Sequence, residues 1–448
     1  MKVKVCDCVP GAGKTEAAIA MMKANPNKRY LFVTPYLEEV QRIKSSCPEL
    51  YFEEPLDYGP GTKNSKTVSL MHLLEGKGNI VHSHALFAYY DKVICDLIKA
   101  GGYTLVLDEV MNVINKEHIT QSDVRFLFDS KLVELDDDGL HINWLDDEYK
   151  GAFLDFKRKA QLHNLIMSEN ELLFWTIPLR SFDCFDDVYV LTYLFRAQVQ
   201  RYYYENNGIE FEYYGVRKTD AGYQMVSEAV VPAFAKELIN KVHILQDEKA
   251  NRFGTEPEAL SESWYRRCRR TGDPKGIEVI QLGNMVENVL RYRFGATSSK
   301  DVIWTTFKEQ RNFMERPRYK NRFLNQSARA TNVYRNCHHL AYCVNVFFHP
   351  TIKGFLQVGG AEVDQDLYAL SEMIQWIWRS AIRCGEDIWV YIPSARMRNL
   401  LQDWLEALAY DEDVSQYHAR RQKERGLTAI PKPRRRVRAD IKKDGDVT

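Results

Sequence analysis

The sequence predicts an α/β protein built on parallel sheets, in two lobes followed by a basic C-terminal tail. Three observations carry that expectation. Short runs of β-branched and apolar residues alternate with helical stretches along most of the 448 residues, the pattern of βαβ units. One early strand leads directly into a glycine-rich loop, Cys8-Val-Pro-Gly-Ala-Gly-Lys-Thr15. A later strand, residues 103–107, ends on two adjacent carboxylates, Asp108 and Glu109.

Taken in order, residues 2–6 read as a strand and 14–24 as the helix that the loop opens. Residues 30–33 form a buried strand closed by Thr34-Pro35, followed by a helix over 38–45. A strand at 79–82, a helix at 86–99 and strands at 103–107 and 188–191 complete a first lobe spanning 1–205, with a small β insertion near 129–147. The second lobe, 206–410, has strand candidates at 211–216, 242–245, 302–305 and 388–392. Long helices are expected at 368–383 and 397–408, the latter with Leu400, Leu401, Trp404 and Leu408 on one stripe. Residues 252–276 are polar, basic and broken by Pro and Gly, which reads as a loop or mobile insertion. From 411 to 448 the chain turns into a charged tail containing PKPRRRVR, with the composition of a segment disordered when free.

Global charge names no partner, because Lys plus Arg and Asp plus Glu both number 61. The basic stretch 420–443 does more, offering a contact to nucleic acid, to an acidic partner or to other replication or recombination proteins. Nine scattered cysteines without a paired CxxC read as reduced thiols. Cys337, His338, His339 and Cys343 match no common zinc spacing and fall in a stretch that reads as helical. No apolar run approaches the roughly 20 residues that span a bilayer, and the chain opens on a strand and loop rather than a leader, so a cytoplasmic protein is expected.

The chemistry concentrates in three places. In the loop, Gly11 and Gly13 permit a tight turn that lets backbone N–H groups approach phosphate oxygens, and the following helix adds its dipole. Pro10, Gly11, Ala12, Gly13, Lys14 and Thr15 are therefore candidate nucleotide-binding residues, with Lys14 reaching the β- and γ-phosphates and Thr15 offering a hydroxyl to Mg²⁺. At the acidic strand end, Asp108 is the second Mg²⁺ candidate and Glu109 the base that orients and deprotonates water. Gln375, Arg379 and Arg383 stand four residues apart, which on one helix places them on one face and presents guanidinium groups to a phosphate held by the other lobe.

In this order the residues resemble superfamily-two helicases and translocases, in particular the DEAD-like ATPases of bacteriophages. PGAGKT resembles motif I, Thr34-Pro35 motif Ia, Asp108-Glu109 motif II, Leu191-Thr192 motif III, Trp304-Thr305-Thr306 motif IV, and Gln375, Arg379 and Arg383 motif VI. Ser83-His84 is similar to a further strand-end contact, and residues 327–332 stand where motif V belongs. The resemblance implies two RecA-like lobes, ATP and Mg²⁺ as ligands, and hydrolysis coupled to movement on single-stranded or forked DNA, with RNA not excluded. It makes Thr34, Pro35, His84, Thr192 and Thr305 nucleic-acid contacts, and places the work in phage DNA replication or recombination in the host cytoplasm. Arg266, Arg267, Arg269 and Arg270, interleaved with Trp264 and Tyr265, add a basic-aromatic candidate read from the residues themselves.

Departures accompany the match. Cys8 replaces the loop's first Gly, motif II reads DEVM, motif III lacks Ser-Ala-Thr, and Trp378 stands where motif VI carries Gly. The few residues ahead of the loop leave no place for an adenine-reading glutamine, so ATP is implied by the resemblance alone. Two rivals stay open: a catalytically weak helicase-fold scaffold that binds nucleic acid, and a DNA-packaging motor. The packaging reading wants a carboxylate cluster that the sequence past Asp413 lacks, and a switch GTPase would need an NKxD segment that is not suitably placed.

Overall fold

In the computed structural model, residues 2–35, 37–57, 65–168, 172–270, 276–327 and 332–426 are described. The strands in chain order are β1 (Lys2–Asp7), β2 (Arg29–Thr34), β3 (Ile80–Ser83), β4 (Tyr103–Asp108), β5 (Ile114–Lys116), β6 (Val133–Leu135), β7 (Ile142–Trp144), β8 (Leu165–Met167) and β9 (Leu173–Thr176). They continue as β10 (Asp187–Thr192), β11 (Glu210–Thr219), β12 (Gly222–Val226), β13 (Val242–Ile244), β14 (Val302–Thr305), β15 (His339–Tyr342) and β16 (Ile388–Tyr391).

The first sheet has the order β12-β11-β1-β10-β4-β2-β3, and only the β11–β12 pairing is antiparallel. Its central strands are apolar on both faces: Val3, Val5, Leu31, Phe32, Val33, Leu105, Val106, Leu107, Val188 and Val190 are all fully buried. That is why these runs read as continuous rather than alternating, since helices cover a parallel sheet on both sides. The register aligns the strand tips that matter below. Asp7 pairs with Thr192, Leu191 with Asp108, and Thr34 with Ser83. The second sheet, β13-β16-β15-β14, is parallel throughout.

Several expectations change. Residues 211–216 do not open the second lobe; they lie in β11, which pairs with β1 in the first sheet, so that lobe runs past 205 through β12. Residues 339–342 are a strand rather than a helix. His339 there pairs with Asp301 at 2.9 Å and stacks against Phe294, which absorbs the metal-like cluster into ordinary packing. The β insertion extends well beyond 129–147. The hairpin β6–β7 and the sheet β5-β9-β8 share a core of Leu127, Val133, Ile142, Trp144, Phe156 and Leu165. Residues 262–270 form a helix, not a loop, because Trp264, Tyr265 and Cys268 fall on one face and pack into the second lobe's core.

The tail also begins later than expected. Val414–Glu424 is a helix packed on the helix Ala395–Tyr410. Its anchor is Asp403, fully buried, which accepts from Arg425 Nη1 and Nη2 at 2.7 and 2.6 Å and bonds His418 Nδ1 at 2.6 Å. Three arginines of the basic stretch, Arg420, Arg421 and Arg425, are thus engaged with Glu412, Glu424 and Asp403. Residues 427–448 lie outside the described residues. Burial lowers the His418 pKa, but hydrogen bonds to Asp366 and Asp403 outweigh it and push it up to about 9. The folded value lies above the unfolded one. His418 therefore contributes its full stabilisation below about pH 6.5, and that contribution, of the order of 3 kcal/mol, is lost as pH rises through 9. Thermal unfolding followed from pH 7 to 10 should show this loss, and His418→Gln should flatten the profile. No described helix is long and apolar enough to cross a membrane.

Candidate functional site

The glycine-rich loop leaves β1 and enters the helix Lys14–Ala24 with two left-handed residues, Gly11 at φ +85° and Gly13 at φ +86°. Both positions need glycine for backbone reasons. Both are also crowded. An added Cβ at Gly11 would stand 3.2 Å from the Trp378 ring and 3.6 Å from Phe234, and one at Gly13 would overlap the Tyr223 ring of β12. Gly13→Ala should destabilise the fold by about 1–2 kcal/mol from backbone strain alone, more with the displaced ring, measurable by urea unfolding. Lys14 Nζ donates to the carbonyl oxygens of Cys8 at 2.8 Å and Val9 at 3.5 Å, so its ammonium lies inside the loop. Cys8, which takes the usual glycine's place, is buried against Cys6.

The acidic pair sits beside this loop because β10 alone separates β1 from β4. Asp108 is 8% exposed. Thr15 Oγ1 donates to its Oδ1 at 3.3 Å, and Thr34 Oγ1 to its Oδ2 at 3.4 Å. Burial, then the neighbouring carboxylates Glu109 and Glu39, push the Asp108 pKa up to about 7. Glu109 has φ +66°, a conformation costly for a residue with a Cβ; its N–H donates to Leu191 O at 2.9 Å. Held strain of this kind concentrates at functional sites. The donor set fits a divalent cation. A threonine hydroxyl and a buried carboxylate lie together at a helix N-terminus, and a carboxyl driven toward neutrality by burial and like charges regains its ionised form when a cation binds.

The second lobe faces this loop through Trp378. The expected single helix over 368–383 is not formed. The helix Gln365–Ile377 stops at Trp378, and Ala381–Cys384 is a separate 3₁₀ turn. Gln375, Arg379 and Arg383 consequently do not share one helical face. Gln375 is half-buried on the helix, Arg379 half-buried in the link, and Arg383 exposed on the turn. Arg379 Nε is buried with no hydrogen-bond partner among the described residues. Arg383 Nη1 donates to Asn332 Oδ1 of its own lobe at 2.8 Å. Glu39 and Arg42, on the first-lobe helix Leu37–Ser46, bond each other at 2.9 Å and lie within electrostatic reach of Arg383. The sequence reading missed Glu39, Arg42, Tyr223 and Phe234. The first two carry no motif, and the last two reach the loop only through folding.

The expected nucleic-acid contacts do not form one surface. Thr34, Thr192 and Thr305 are fully buried; Thr34 positions Asp108, and the Thr192 hydroxyl has no partner among the described residues. They lie inside because a strand-end hydroxyl in a doubly covered sheet is enclosed by the same helices as the strand. Pro35 is half-buried, and His84 Nε2 donates to the backbone oxygen of Asp108 at 3.1 Å. Trp264 and Tyr265 are core residues, unavailable for stacking on bases. Arg266, Arg267 and Arg269 lie on the exposed face of the helix Glu262–Arg270, with Arg266 paired to Glu262 at 2.6 Å and Arg267 to Glu258 at 3.5 Å. Arg270 closes the same helix. The motif V candidate falls largely on 328–331, outside the described residues.

Two family models match the chain, the YonV middle domain over residues 114–175 and the YonV C-terminal Rossmann-like domain over 236–405. The first coincides with the insertion β5–β9, the second with the second sheet. Among solved chains, XPD_APO is similar at 12% identity and a TM-score of 0.46, covering 92% of this chain and 96% of that one. Xpd4 of S. tokodaii is similar at 13% identity and a TM-score of 0.46, covering 90% and 94%. The SPbeta prophage-derived protein YonV of Bacillus subtilis (strain 168) is 40% identical over 416 residues, covering 90% of this chain and 99% of the relative. With that identity over nearly the whole of both chains, this chain belongs to the YonV family.

Proposed function

We propose that the chain is a Mg²⁺-dependent nucleoside triphosphatase of the motor type, a helicase or translocase with two RecA-like lobes that couples ATP hydrolysis to movement on nucleic acid. One observation carries the reading: a glycine-rich loop at a helix N-terminus, with its Thr15 hydroxyl bonded to the buried Asp108 and a strained Glu109 next to it.

The roles follow from the geometry. Backbone N–H groups of the loop and the helix dipole hold the polyphosphate, and Lys14 turns from the loop carbonyls to neutralise it. Thr15 and Asp108 hold Mg²⁺, which when bound neutralises phosphate charge. Glu109 orients the attacking water and takes its proton. Arg379, in the link after Trp378, stabilises charge that develops on the transferred phosphoryl group. Because Trp378 rests on Gly11, a nucleotide that reshapes the loop also shifts the second lobe, which is how hydrolysis becomes movement.

Glu109→Gln should bind a fluorescent ATP analogue as wild type does, while turnover falls by about 10²–10⁴-fold. Equal loss of binding and turnover would contradict the role given to Glu109. The scaffold reading draws on the same Trp378 and Tyr223 rings, which crowd the loop; it requires that wild type binds nucleic acid without hydrolysing ATP.

A further inference from the structure

The second lobe carries a charge excess that the balanced whole conceals. Residues 300–335 hold nine Lys and Arg against three acids, Asp301, Glu309 and Glu315. Part of that excess gathers at the N-terminal end of β14, the opposite end of the strand from Thr305. Lys300 stands just ahead of the strand, on the short helix Ser299–Asp301. Arg322 donates from Nε to Val302 O and from Nη2 to Lys300 O, both at 2.9 Å. Arg318 Nη2 donates to Thr297 O at 2.9 Å. Arg335 joins the group through Cys337, two residues on, whose thiol donates to Lys300 O at 3.2 Å and accepts from Arg322 Nη2 at 3.0 Å. Lys300, Arg318 and Arg335 are exposed, and Arg322 is half-buried.

None of these four cations meets a carboxylate among the described residues. The bonds of Arg318 and Arg322 go to neutral acceptors, backbone carbonyls, the Cys337 sulfur and the Tyr319 hydroxyl, which fix each guanidinium without cancelling its charge. Asp301 lies within the group, accepting from His338 N at 2.8 Å and standing 2.9 Å from His339 Nδ1. Counted at full charge, it still leaves the four cations three charges in excess. Glu386 and Asp387 stand two strands away, ahead of β16, against His338 and His243. Cations held together in this way repel one another until an anion neutralises them. The Tyr334 ring beside them is already taken, with the Arg322 guanidinium 4.9 Å from its centroid.

We propose that this ridge binds the phosphate backbone of duplex nucleic acid. Fixed guanidinium forks match phosphate oxygens, and Lys300 adds a point charge. With charge but no ring or amide presented to a base, contact is to the backbone and independent of sequence. A duplex is favoured over a single strand because its backbone charge is denser and each neutralised phosphate releases more counterion. A protein partner would want an apolar anchor pocket, and the covered Tyr334 offers none. The ridge belongs to no motif named above and lies at the other end of β14 from Thr305, so it is a second foothold, holding a duplex while the cleft works on a strand. The choice of nucleic acid over another polyanion rests on the motor reading.

The test is fluorescence anisotropy of a labelled mixed-sequence DNA duplex with the full chain, titrated across salt, beside ATP hydrolysis stimulated by single-stranded DNA. Lys300→Ala with Arg335→Ala removes two exposed side chains that make no hydrogen bond or ion pair among the described residues, so the fold should be kept. The slope of log K against log salt should fall by about 1.8, two duplex phosphates' worth, and affinity near physiological salt by about tenfold or more. Lys300→Arg with Arg335→Lys, which keeps both charges, should hold the wild-type slope. Single-strand stimulation should persist in both variants. Wild type that does not bind the duplex, a double alanine variant with unchanged affinity and slope, a charge-keeping variant that loses as much, or ridge-dependent binding of polyglutamate as tight as that of the duplex would each overturn the proposal. So would loss of single-strand stimulation together with duplex binding, which would put the ridge on the motor's own track. Ridge-dependent duplex binding by a wild type without ATP turnover would leave the proposal standing and sink the motor reading instead.

Discussion

Arg379→Ala should lower ATP turnover by about 10³-fold or more, whereas Arg383→Ala should stay within about fivefold of wild type. Spacing alone cannot separate the two arginines, which stand four residues apart on what reads as one helix. The structure separates them. The helix ends at Ile377, so Arg379 belongs to the link that follows Trp378, and Trp378 itself packs on Gly11 of the loop. Arg379 has a buried Nε without a partner among the described residues, while Arg383 is exposed and bonded to Asn332. An arginine with an unpartnered Nε, next in sequence to the Trp378 that packs on the glycine-rich loop, suits a charge that appears only during phosphoryl transfer. One already engaged by its own lobe does not. The check is kcat for both variants at saturating nucleotide, with nucleotide affinity measured separately. Equal losses in the two would mean that Arg383 leaves Asn332 when the lobes close.

Lys14→Ala should reduce turnover by about 10²–10³-fold and weaken nucleotide binding as well, with unfolding unchanged. Among the described residues Lys14 Nζ bonds only backbone carbonyls of the loop, Cys8 and Val9, so the fold loses little when it is removed. Its charge also helps to offset the upward pressure on the buried Asp108. The variant should therefore need more Mg²⁺ for residual turnover, a signature that a merely structural lysine would lack. Titrating Mg²⁺ at fixed nucleotide measures it.

Much of the first lobe was legible because its strands are buried on both faces, so burial writes itself as unbroken apolar runs. Loop, helix and acidic strand tip could be placed from Gly11, Gly13, Lys14 and Asp108 because each requirement is local. What failed depends on distant partners. β11 reads as a generic strand, and nothing in 210–219 says that it pairs with β1. The strand 339–342 hides among histidines and cysteines that resemble a polar cluster until Asp301, Phe294 and Trp389 enclose them. Trp264 and Tyr265 look like base-stacking residues beside their arginines, but helical spacing turns both inward. Thr34 illustrates the same limit within the site: its position at a strand tip was readable, and its bond to Asp108 was not.

The most direct test of the account is steady-state ATP hydrolysis by the full chain, with Mg²⁺, in the presence and absence of single-stranded and duplex DNA. The expected result is Mg²⁺-dependent turnover that single-stranded DNA stimulates and that Lys14→Ala and Glu109→Gln each lower by about 10²-fold or more. Wild type that hydrolyses no ATP with any nucleic acid would contradict the motor reading and favour the nucleic-acid-binding scaffold.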